Sequence, residues 1–130
     1  MQYLALVYYS EAKMAELTTD DWDALNRECI ACGEDLTANG QMLDGRPLMP
    51  TDTATTVRVR DGKVTVTDGP FAETREQLAG FYLLEARDLN QAIQLASKIP
   101  PARYGSVEVR PVRELKSEGN EPYSGLGSNL

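Results

Sequence analysis

Histidine is absent from this 130-residue chain. That removes the commonest general base near neutral pH, the catalytic triads built on imidazole, and most zinc sites. Cysteine occurs twice, as Cys29 and Cys32 in Cys-Ile-Ala-Cys, too few for a disulfide framework. A thioredoxin-type redox pair opens a helix after a strand, where the helix N-terminus lowers the thiol pKa. This pair falls midway along a predicted helix, on its apolar stripe, so both residues read as core. Two thiolates alone would also be an incomplete metal site. The lack of further cysteines fits a reducing cytoplasm. No apolar run approaches the roughly 18 residues that a membrane-spanning helix needs. Met1-Gln2-Tyr3-Leu4 carries no basic leader, so no signal peptide is expected.

Positive charge is scarce as well: 13 Lys and Arg stand against 20 Asp and Glu, a net charge of −7. Eight of the acids and two of the bases lie in residues 1–40, which makes that stretch −6. The acidity reads as a solvated helix face. The basic clusters, Arg58/Arg60/Lys63 and Arg103/Arg110, are too small for the phosphate contacts that a nucleic-acid duplex demands. They suffice for one small anion. Neither nucleic acid nor membrane is an expected partner, and nothing in the residues calls for a cofactor or metal.

What is present is a regular alternation of elements. Apolar residues at 42% and charged residues at 25% fit one globular domain rather than a disordered chain. Tyr3–Tyr9 reads as a strand apolar on both faces. Thr18 or Thr19 caps a helix whose stripe is Trp22, Leu25, Cys29, Cys32 and Leu36, ended by Gly40. Gly33, costly by about 1 kcal/mol inside a helix, marks a candidate close contact. Residues 41–48 form a short extended segment. Residues 54–60 and 63–68 are strands joined by Asp61-Gly62, a strong hairpin signal that sets Val59 opposite Val64 and Val57 opposite Val66. Gly80–Ala86 is a second strand apolar on both faces. Asp88 and Gln91 resemble a capping box before a helix with the stripe Leu89, Ala92, Ile93, Ala96 and Ile99. Tyr104–Val112 is the last strand.

This order fits an α+β, ferredoxin-like split βαβ sheet with an inserted hairpin and both helices on one face. Its other face would leave a large apolar patch in water. A second copy packed sheet against sheet would close a dimeric α/β barrel, with a ligand cavity between the sheets. The domain is expected over residues 1–113. Residues 114–130 read as a loose tail, with Tyr123 and Leu126 as contacts for a neighbour.

The candidate chemistry lies in Asp68-Gly69-Pro70-Phe71-Ala72-Glu73-Thr74-Arg75. Two readings stand. In one, Asp68 and Glu73 are an acid–base pair and Arg75 or Arg58 anchors an anion. In the other, Asp68 accepts turn N–H bonds and Glu73 pairs with Arg75 to shape the loop, with Phe71 plugged into the core. Tyr8, Tyr9, Tyr82 and Tyr104 offer hydroxyls to the sheet-to-sheet cavity or serve as core. Arg103-Tyr104 is either an anion-contacting corner or a solvated turn.

The stretch Asp68–Glu85, DGPFAETREQLAGFYLLE, resembles the defining motif of YCII-related proteins of the DGPF type. The flanking Ala54–Lys63 and Pro101–Val112 fit the same pattern, so the resemblance spans about residues 1–113. Arg75 stands where that pattern has lysine, and Ala79 where it has glycine. The resemblance implies a dimeric α/β barrel. YCII-like relatives carry a His-Asp pair proposed as catalytic, and without histidine that role does not transfer. Genes of the DGPF type often neighbour those of extracytoplasmic-function sigma factors, which implies a regulatory role. The expected function is a homodimeric small-molecule-binding or accessory protein. The alternative is a cofactor-independent enzyme using Asp68 or Glu73 with an arginine clamp, and a third reading is an assembly module without ligand.

Overall fold

The computed structural model describes residues 1–120; the expected contacts of Tyr123 and Leu126 lie outside them. The chain runs β1 (Gln2–Tyr9), α1 (Glu11–Met14), α2 (Thr19–Ala38), β2 (Met42–Pro47), β3 (Thr55–Arg60), β4 (Lys63–Asp68), β5 (Gln77–Glu85), α3 (Leu89–Ala96) and β6 (Gly105–Pro111). Four strands form one antiparallel sheet in the order β2-β5-β1-β6, while β3 and β4 pair only with each other. With the hairpin set aside, this is the ferredoxin-like subunit, and β1 and β5 are its central strands.

Local chemistry fixes the ends of these elements. Thr18 caps α2, its hydroxyl accepting from the Asp21 N–H at 3.1 Å. At the other end Gly40 takes φ +69°, and the Gly40 and Gln41 N–H groups donate to the carbonyls of Thr37 and Leu36, a Schellman closure. Asp88 caps α3 by accepting from Gln91 N–H at 2.9 Å. The Gln91 side chain reaches past the cap and accepts from Arg87 N–H at 2.7 Å. The hairpin register is the expected one, with Val59 opposite Val64 and Val57 opposite Val66. β5 starts three residues earlier than its apolar run, because a bulge beside Val7/Tyr8 lets Leu78 pair with Tyr8.

The core lies between one sheet face and the two long helices. Tyr3, Ala5, Val7 and Leu84 from the central strands pack with Leu36 of α2, Ala92, Leu95 and Ala96 of α3, and Ile99 just beyond it. The stripe of α3 therefore differs from its expected one. Leu95 is buried, while Leu89 and Ile93 are about half exposed on its flank. On α2, Leu25 and Leu36 are buried, but Cys29 and Cys32 are only partly so and Trp22 is exposed. Phe71, expected in the core, is 81% exposed. The loop that carries it is held at other points, and nothing draws the ring inward.

Candidate functional site

The loop after β4 is fastened at both ends. The Gly69 N–H donates to the Ala54 carbonyl at 2.7 Å, and the Thr56 hydroxyl donates to the Gly69 carbonyl at 2.8 Å. Farther on, the Thr74 hydroxyl donates to the Glu76 carbonyl. Glu76 accepts from the Ser106 hydroxyl at 2.9 Å, and the Gln77 side-chain amide oxygen accepts from Glu11 N–H at 2.8 Å. Backbone groups and the Thr, Glu and Gln side chains thus shape this loop. Asp68, Glu73 and Arg75 are all exposed. Among the described residues, Glu73 and Arg75 form no ion pair with each other, and neither carboxylate reaches an arginine.

The pleat separates the proposed partners further. Asp68 shares the valine face of the hairpin, while Arg58 lies on the threonine face and donates to the Thr67 hydroxyl at 3.2 Å. Arg103 is engaged elsewhere. Its guanidinium pairs with Glu28 of α2 and lies 5.2 Å from the centroid of the Tyr104 ring. That joins α2 to the corner before β6.

Two surfaces of the sheet differ sharply. On the face turned away from the core, Leu4 opposes Leu83 and Leu6 opposes Phe81 across the central strands. All four are partly exposed. The outer strands carry charge on this side: Asp44 and Arg46 on β2, Glu108 and Arg110 on β6. An apolar centre with a charged margin results. Tyr8 stands on this face, with its hydroxyl 3.4 Å from Glu108.

Tyr82 lies on the opposite face, opposed to Ala5, which places it under α2 rather than between the sheets of a dimer. There a hollow of about 400 Å³ opens between α2 and the sheet. Its floor holds Val7, Met42 and Tyr82, and its roof Leu25, Cys29 and Gly33. Gly80 forms part of the wall, where a Cβ would meet the Arg46 carbonyl oxygen at 2.7 Å, so only glycine fits. The Tyr82 hydroxyl and the Cys29 thiol both line the hollow, and burial pushes the pKa of both groups up, so both are protonated at neutral pH.

The sequence offered Tyr82 either as a cavity hydroxyl or as core, and its place under α2 fits the second; Trp22, Gly33 and Met42 were not among the expected site residues. The mid-helix glycine and the lone tryptophan on the α2 stripe were the available signals. Neither says that the stripe stands off the sheet.

Among the described residues no group of three or more Cys, Asp or Glu could hold a metal ion. No helix among them is long and apolar enough to cross a membrane. The family model of the YCII-related domain matches residues 1–116. An uncharacterized protein of Rhizobium meliloti (strain 1021) is 35% identical over 118 residues, covering 89% of this chain and 95% of its own.

Proposed function

The chain belongs to the YCII-related family, and on that premise we propose that it is a homodimeric small-molecule-binding or accessory protein whose subunits pack sheet against sheet, with a ligand site between them. The observation that carries this is the stripe of Leu4, Leu6, Phe81 and Leu83 on the face turned away from the core. Apolar side chains at the centre and charges at both edges are the anatomy of a subunit interface. Arg58 on the hairpin and Arg75 on the loop after it are the residues proposed to attract a small anion. The free thiols fit a cytoplasmic setting, and the accessory role is read as regulatory, in keeping with the sigma-factor neighbourhood that the DGPF-type motif implies. Asp68 and Glu73 are exposed in the subunit, so binding rather than acid–base catalysis is the reading adopted.

Sedimentation at micromolar concentration tests the assembly. The native chain is expected as a dimer, and Leu6→Glu as a monomer with an unchanged far-ultraviolet spectrum, since a charge there has no partner to satisfy it. A native chain that sediments as single subunits overturns the proposal. A thermal-shift series with small carboxylates and phosphate tests the ligand side, where Arg58→Ala and Arg75→Ala are expected to blunt the response.

A further inference from the structure

We propose a second binding site, inside each subunit beneath α2, for a neutral aromatic molecule that accepts a hydrogen bond from the Tyr82 hydroxyl. It is separate from the sheet-to-sheet site, because it opens under α2, on the side of the sheet where Tyr82 opposes Ala5 and away from Leu4, Leu6 and Leu83.

Space comes first. The hollow is open to solvent on one side, and its volume of about 400 Å³ is within the range of small-molecule sites. Gly33 helps keep it open. An added Cβ there would meet only the Met42 sulfur, at 3.8 Å, an ordinary contact. No close backbone approach demands glycine, although glycine costs the helix about 1 kcal/mol relative to alanine. The mouth is apolar too: Trp22, Ile30 and Leu48 border the hollow and are among the exposed large hydrophobic side chains of the surface. Three such residues around one opening are not scattered exposure but a rim.

The polar equipment selects for charge. No Asp or Glu lines the hollow. Its one cationic residue, Arg46, turns its guanidinium to Asp44 and to the Gly45 carbonyl. What remains is neutral: the Asn26 amide, which donates to the Trp22 carbonyl at 2.8 Å, and the Tyr82 and Tyr9 hydroxyls and the Cys29 thiol, whose pKa values burial raises. An ion entering would lose its hydration without a counter-charge. A flat apolar molecule would not. The Tyr82 hydroxyl shares the lining with Cys29, whose thiol is a weak acceptor, so a carbonyl oxygen would be the better partner for it. A neutral aromatic ketone therefore matches the site best.

Trp22 is the chain's single tryptophan and stands on this rim, so it is the sole tryptophan donor for a dye bound there. The full chain is titrated with Prodan, a neutral naphthalene bearing a ketone, and with anilinonaphthalene sulfonate, an anion of similar size. Saturable energy transfer from Trp22 to Prodan is expected at one dye per chain, with the sulfonate at least roughly tenfold weaker. Gly33→Leu, which fills the hollow, is expected to abolish the transfer, while Gly33→Ala keeps it. Tyr82→Phe removes the donor and is expected to shift the emission of bound Prodan to the blue; this variant decides the matter if Gly33→Leu does not fold. Leu6→Glu, aimed at the proposed dimer face, is expected to leave Prodan binding in place.

The inner site is overturned by any of four results. These are no saturable transfer, undiminished transfer in folded Gly33→Leu, unchanged bound emission in Tyr82→Phe, or binding lost in Leu6→Glu. The last would put the dye between the sheets and leave the dimer proposal standing.

Discussion

In β1, Tyr3, Ala5 and Val7 alternate with Leu4, Leu6 and Tyr8; in the hairpin, Val57 and Val59 alternate with Thr56 and Arg58. Both patterns have the period of a strand, and both segments are strands. Yet the first set is 0–4% exposed, while the hairpin valines are 57–64% exposed. Alternation decides which side chains share a face. What lies opposite decides whether that face is dry. The face of β1 meets two helices. The hairpin meets only itself, and a two-stranded ribbon alone is marginal. It is held at its base instead, where Glu11 accepts from the Thr51 N–H and hydroxyl at 3.0 and 3.1 Å, and Gly69 bonds to Ala54.

The sharpest test of that contrast is on the core side. Leu84 has no exposed surface and sits among side chains of both helices. Leu84→Ala loses the transfer energy of the removed carbons and leaves a cavity, and is expected to cost about 2–5 kcal/mol in urea denaturation. A cost under about 1 kcal/mol would mean that the helices collapse onto the sheet, and that the hollow beneath α2 is soft rather than built.

Alkaline pH probes the same side of the sheet. Burial, first, pushes up the pKa values of Tyr82, Cys29 and Cys32. Near neutrality folded and unfolded chains both keep these protons, so the contribution to stability is fully present. Above about pH 9 for the thiols and about pH 10 for the phenol, the unfolded chain releases protons that the folded chain retains. Stability must then fall as pH rises. Urea midpoints from neutrality to strongly alkaline pH should decline, and the decline should flatten in Cys29→Ala/Tyr82→Phe. An equally steep fall in that double variant would locate the alkaline lability elsewhere.

These elements also show how far the sequence was legible. Caps, turns and register are local, written in residues a few positions apart. Thr18, Gly40, Asp88 and Asp61-Gly62 therefore announced their roles correctly. The sheet order followed from which strands are apolar on both faces. The errors came where distance in space replaces distance in sequence. Leu95 rather than Ile93 faces the sheet because the tilt of α3 is set by its partners. Phe71 points outward because Glu76 and Gln77 anchor its loop. Tyr82 was left between cavity and core because alternation names two faces without saying which the helices cover. The hollow was invisible because a half-empty stripe and a full one share the same periodicity.

The smallest expected effect is the most discriminating for the hairpin. Val64 and Val66 are each 64% exposed in the subunit. Replacing both by threonine keeps the branched β-carbon and the strand preference, and removes little buried area. In dilute solution the stability should move by no more than about 0.5 kcal/mol, as for surface substitutions generally. If these valines have no role beyond their own ribbon, the change stays equally small at high protein concentration. A cost that grows with concentration would instead show that a second copy covers them, because only an interface ties stability to mass action. The hairpin would then be buried like β1, with its cover supplied by another chain.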